Sequence, residues 1–143
     1  MTKDILNQYM SLQQEIKEVR SKIKKTKEEI RKIEQDGTVF DTVKGGEGGI
    51  QRYKIEGFPY PEYNMKRSLL LSREATLVGL ESEIFETINK VEEFIKSVDD
   101  SRMRRIIDLR FIQGLSWQQV ANRIGGNTEA SVKMAFQRFM EKS

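Results

Sequence analysis

SWQQVANRIGGNTEASVKMAFQRFMEK, residues 116–142, carries the densest structural punctuation in the chain. Ser116 stands as an N-cap with Gln119 three residues on, a capping box, and Leu115 and Val120 occupy the two hydrophobic-staple positions around it. A helix is therefore expected from Trp117 through Val120, Ala121 and Ile124. It should stop at Gly125 and Gly126, because leaving a helix through a left-handed residue costs glycine little and other residues more. Thr128 can cap a further helix with Glu129 in its first turn, and Val132, Phe136 and Phe139 or Met140 give that helix a face to bury. Two short helices, a small alanine where they cross and a glycine turn predict a helix-turn-helix.

The outward face of the second helix offers Glu129, Ala130, Ser131, Lys133, Met134, Gln137 and Arg138. Gln, Ser and Glu can reach base edges in a major groove while Lys and Arg meet phosphates or guanine, so this face is the candidate DNA contact. The bland alternative is a three-helix bundle with a polar surface. Trp117, at the start of the first of the two helices, reads as a packing residue rather than a base-stacking one.

Immediately upstream, Asp99, Asp100 and Ser101 precede RMRRIIDLRFIQ, an amphipathic helix with Met103, Ile106, Ile107, Leu109 and Phe111 to bury and Gly114 as its stop. Charge concentrates in the same region. Residues 101–143 hold eight basic and three acidic side chains, a net of +5, whereas residues 36–63 and 64–100 are net −2 and −3 and residues 1–35 are +3. A basic C-terminal segment is the electrostatic footprint that phosphate requires.

The rest of the chain is long helix. Ile5, Tyr9, Leu12, Ile16, Val19, Ile23, Thr26, Ile30 and Ile33 alternate at steps of four and three, a heptad seam that predicts one continuous helix needing a partner along a stripe. A parallel homodimer would oppose Glu15 with Arg20, Lys22 with Lys27 and Glu29 with Glu34, two like-charged pairs in three, so the expected partner is an antiparallel helix of the same chain. That helix is expected after Tyr63, where Leu70, Leu77, Ile84, Val91 and Val98 recur every seven residues, joined by Leu80, Ile88, Phe94 and Ile95. Between the two lies a segment with six of the ten glycines and both prolines. TVFDTV and IQRYKI around GGEGG read as a small β-hairpin at about residues 37–57, followed by an extended FPYPEY. A phosphate-cradling loop would have to open a helix, and a strand-like run follows GGEGG instead.

Composition excludes much of catalysis. With no cysteine and no histidine there are no disulfides, no thiol or imidazole nucleophiles, none of the usual zinc sites and no imidazole base, so an enzyme is not expected and neither is a cofactor. No apolar run approaches the roughly 20 residues of a membrane span, and no leader pattern opens the chain, so a cytoplasmic protein without a membrane partner is expected.

MRRIIDLRFIQGLSWQQVANRIGGNTEASVKMAFQRFMEK, residues 103–142, resembles region 4 of sigma factors, the module that reads a promoter's upstream element. It is more closely similar to phage late-transcription activators of the ArpU and RinA type, in which a coiled helix, a glycine-rich segment and an EGFPYPEY-like stretch precede a second helix. The resemblance implies a recognition helix that presents Thr128, Glu129, Ala130, Ser131 and Lys133 to the groove, with Gln137 and Arg138 flanking. The turn IGGNT is one residue longer than the usual spacing of the motif.

The expectation is a mainly α-helical protein. A long antiparallel, coiled-coil-like helical hairpin with a β-hairpin at its tip, residues 1–100, would serve association. A sigma-region-4-like helix-turn-helix, residues 101–143, would bind DNA. The expected function is sequence-specific DNA binding that controls transcription of phage or prophage late genes. Double-stranded DNA is the expected partner, with bacterial RNA polymerase and a second copy of the chain as further candidates. The alternatives are a small terminase subunit and a polymerase-binding protein that does not contact DNA.

Overall fold

The computed structural model describes residues 2–44 and 57–142, with side chains in the first helix placed as far as residue 36. It is mainly helical, with no strand among the described residues. Helix α1 spans Thr2–Lys44, α2 Tyr60–Ser97, α3 Ser101–Ile107, α4 Trp117–Ile124 and α5 Glu129–Lys142, and a wide π-helical turn, Asp108–Ile112, continues α3. By packing, residues 16–79 form one compact unit and residues 1–15 with 80–143 form another.

In the unit of residues 16–79, α1 and α2 run antiparallel as the heptad seam requires. Ile16, Val19, Ile23, Thr26 and Ile30 are all buried, so the four-and-three spacing faces the partner helix through Ile30, and Ile33 is half-buried. Polar contacts fix the register. Arg73 Nη1 donates to Thr26 Oγ1 at 2.5 Å, Tyr63 Oη donates to Glu34 at 2.8 Å, and Lys66 pairs with Glu29 at 3.3 Å.

Two expectations are corrected. Residues 38–43, the expected first strand, are the last turns of α1. β-Branched residues give up only a few tenths of a kcal/mol each in a helix, and extending an established helix gains a hydrogen bond per residue, whereas an isolated two-stranded hairpin is marginal. The second expected strand and GGEGG lie outside the described residues. The FPYPEY stretch is not extended either: α2 begins inside it at Tyr60. Pro61 sits in the first turn, where its missing N–H has no intrahelical acceptor to serve. Phe58 is buried beneath Tyr60 and Tyr63, ring centroids 4.8 and 4.9 Å away.

In the other unit, one continuous core gathers Leu6 and Tyr9 of α1, Val91 and Val98 around the end of α2, Met103, Ile106 and Ile107 of α3, Leu109 and Phe111 of the π turn, Val120 and Ala121 of α4 and Val132 and Phe136 of α5. Here only the first position of the expected seam shifts, by one residue. Leu6 is fully buried and Ile5 only half so, because the first turns of α1 meet the C-terminal helices as well as α2. Gln13 Nε2 donates to the carbonyl of Ile112 at 2.8 Å, tying α1 to the end of the π turn.

Candidate nucleic-acid interface

The candidate surface is built from the N-cap of α3 onward. Asp100 caps α3 by accepting from the backbone N–H of Arg102 at 3.1 Å, and Arg104 Nη1 donates to the carbonyls of Val98 and Asp99 at 2.6 and 2.9 Å, closing the bend between α2 and α3. The π turn follows. Gln113 N–H reaches back to the Asp108 carbonyl at 3.0 Å, and Gly114 at φ 73° ends the helix, as expected of it.

Beyond Gly114 the capping box is complete. Gln119 N–H donates to Ser116 Oγ at 3.2 Å and Ser116 N–H donates to Gln119 Oε1 at 2.9 Å, so α4 starts at Trp117. Trp117 is a packing residue. Its ring lies 5.5 Å from Phe136 and 6.4 Å from Phe111, and the Arg110 guanidinium sits 4.9 Å over it while donating to the Leu115 carbonyl at 2.9 Å. Burial among these groups pushes Arg110 below the usual arginine value.

Both glycines of the turn have positive φ, Gly125 at 82° and Gly126 at 66°. A residue absent from the sequence-based set then proves central. Asn127 donates through Nδ2 to the Gly125 carbonyl at 2.7 Å, and its Oδ1 accepts from Arg102 Nη2 at 3.0 Å and from Ser131 Oγ at 3.3 Å. One amide thus ties the turn to α3 and to α5. The sequence signal for it is weak: an asparagine after two glycines reads as generic turn chemistry, and its arginine partner lies 25 residues upstream.

Thr128 caps α5, its Oγ1 accepting from the Ser131 N–H at 3.1 Å. Val132 and Phe136 are buried and Ala135, Phe139 and Met140 pack against the same core. Burying the first two contributes about 1.5–3 kcal/mol each, which fixes the rotation of α5 about its axis. Thr128, Glu129, Ala130, Ser131, Lys133, Met134, Gln137 and Arg138 are all exposed, so the structure brings all eight sequence-predicted residues to the surface. At about 100° per residue, Ala130, Met134, Gln137 and, in the last turn, Glu141 lie opposite the buried stripe. Lys133 stands on one edge of that face and Ser131 and Arg138 on the other. Ser131 is partly committed to Asn127, and Thr128 to the cap.

Further basic side chains lie nearby. Arg105 and Arg123 are exposed and line, with Arg104, Asp108 and Gln113, a cavity of about 410 Å³ beside α3. Among the described residues no group of acidic side chains has the arrangement of a metal site, and no helix is long and apolar enough to cross a membrane. No protein-family model, curated protein or solved structure matches the chain.

Proposed function

We propose that the chain is a sequence-specific DNA-binding regulator of transcription. In this reading α4 and α5 form a helix-turn-helix of the sigma-region-4 kind, α5 is the recognition helix, and the role is that of the phage late-gene activators of the ArpU and RinA type. The observation that carries the reading is the outward face of α5 ahead of its last turn, a small residue, an apolar one and an amide bounded by a cation on each edge.

A helix with its side chains is about 10–12 Å across and fits a major groove about 12 Å wide. Ala130 lets the backbone approach, Gln137 has the paired donor and acceptor that suit adenine, and Met134 suits a thymine methyl. Lys133 and Arg138 then face the phosphates on either side. The helical hairpin is left for self-association or for contact with polymerase.

The test is binding to duplex DNA across a salt series. Lys133→Ala and Arg138→Ala should each weaken binding to all sequences alike and lower the salt slope by about one unit, while Gln137→Ala should weaken only the selected site, by about 1–3 kcal/mol. Binding that is indifferent to all three substitutions removes α5 as the reader. Selection of bound fragments from the encoding genome separates this role from DNA packaging, because sites upstream of a late operon and sites at a packaging origin mark different proteins.

A further inference from the structure

A second concentration of positive charge lies in the unit of residues 16–79, on α1. Residues 17–32 hold eight basic and three acidic side chains. Their placement around the helix is segregated. Lys17, Arg20, Lys24, Lys27 and Arg31 follow one another at steps of three and four, so they form a single row along one flank of the buried seam. The other flank is mixed, with Glu18 and Glu29 among Lys22, Lys25 and Lys32. All five residues of the row are exposed, and four of them line a groove of about 440 Å³ with Ile23 and Glu28.

Like charges three and four residues apart destabilise a helix, and an ordinary solvated face relieves this by interleaving signs. Within the row, Arg31 pairs with Glu28 at 2.6 Å and Lys27 with Glu74 at 3.9 Å. Lys17 and Lys24 make no ion pair among the described residues.

We infer that this row is a second DNA-binding surface, which holds the phosphate backbone of duplex DNA without reading sequence. From Lys17 to Arg31 the row runs 14 residues, about 21 Å at 1.5 Å per residue. A duplex presents a negative charge about every 1.7 Å along its axis, a polyanion long and stiff enough to meet the whole row. A protein partner would favour an apolar anchor, and stable membrane docking needs a second signal beside charge, such as an inserted apolar face, whereas Ser21 and Glu28 are what lies beside these cations on the exposed side of α1. The inference needs duplex DNA to be a ligand of the chain, as in the proposed function, but not α5 to be its reader.

The experiment uses the full chain with random-sequence and selected duplexes, in a salt series, after circular dichroism has shown each variant folded. The double variant Lys17→Gln/Lys24→Gln removes two cations that have no ion pair to lose, and should lower the salt slope by about two units on both duplexes. Lys25→Gln/Lys32→Gln, on the other flank of the seam from the row, should leave the slope unchanged. An unchanged slope for the first pair, with Lys133→Ala and Arg138→Ala still effective, overturns the inference and leaves the proposed function standing. A lowered slope for the first pair with α5 indifferent supports the inference and overturns the proposed function. Absence of duplex binding by the parent chain overturns both. Loss of binding to phosphatidylserine vesicles in the first pair, with duplex binding intact, assigns the row to membranes and overturns the inference.

Discussion

Gly125 and Gly126 share a turn but not a conformation. Gly125 combines φ 82° with ψ 143°, outside the left-handed helical well and costly for any residue with a Cβ, and Gly126 is at φ 66°. A Cβ at either position would meet nothing within 4 Å, so a substitution there acts through backbone strain alone. Gly125→Val should therefore destabilise the chain by about 1–3 kcal/mol in urea titration, and Gly126→Asn by less, because asparagine tolerates positive φ. With Ala121 and Val132 packed on either side of the turn, the same strain should tilt α5 and reduce specific DNA affinity about tenfold at a temperature where Gly125→Val remains folded. Equal stability and equal affinity for both variants would remove the turn as the hinge. Arg110 gives a second expectation at this scale. Its bond to the Leu115 carbonyl and its place over Trp117 hold the loop before α4 in position, and its Nε is buried without an acceptor among the described residues. Arg110→Ala loses a charge-assisted bond and a cation–π contact, so a loss of about 2 kcal/mol is expected in chemical denaturation. If the buried Nε already costs as much as those contacts contribute, the variant will show no loss, and the arginine is then not a strut.

At the scale of elements, the features legible in the sequence are those with a local cause. The Ser116–Gln119 box, the Gly114 stop, the glycine turn and the Thr128 cap each depend on residues within a few positions, and all are present. The α1 seam is legible for a similar reason: its period is set by the helix itself. What propensity cannot show is how far a helix already established will run, and α1 absorbs residues 38–43 despite their strand-like composition. The π turn is equally invisible, since one extra residue in a ring leaves the apolar pattern of residues 103–111 intact. Thr26 is the element-scale test. It is fully buried within an apolar seam, its hydroxyl donating to the Lys22 carbonyl and accepting from Arg73. Thr26→Val would match the rest of the seam, yet it leaves the half-buried Arg73 without that acceptor. A loss of about 1 kcal/mol in thermal or chemical denaturation is expected rather than a gain, which marks the pair as a register device. A more stable Thr26→Val would mean that Arg73 finds water instead.

At the scale of the whole molecule, a basic segment that begins near residue 101 invites the idea of a C-terminal module complete in itself. The core argues otherwise. Leu6 and Tyr9 are 0% and 6% exposed, within one cluster that also holds Met103, Ile106, Phe111 and Val120, and the Gln13 side-chain amide donates to the Ile112 carbonyl. Charge and motif reading could not register this, because contacts nearly 100 residues apart leave no trace in local pattern. Removing residues 1–15 takes two large apolar side chains from that core, about 1.5–3 kcal/mol each, and frees a partly buried carbonyl besides. Against a typical total of about 5–15 kcal/mol that is a large share. A fragment of residues 80–143 should therefore melt well below the full chain, and a fragment of residues 101–143, lacking Val91 and Val98 as well, should show no cooperative transition. Adding a peptide of residues 1–15 to the 80–143 fragment should raise its melting temperature as the peptide concentration rises, since the peptide binds the folded form and not the unfolded one. Such a peptide is too short to hold a helix alone, so the effect should need a large excess. A peptide carrying Leu6→Asp should fail at any concentration. If instead residues 101–143 alone melt cooperatively at the temperature of the full chain, the first turns of α1 only cover that core and do not help to build it.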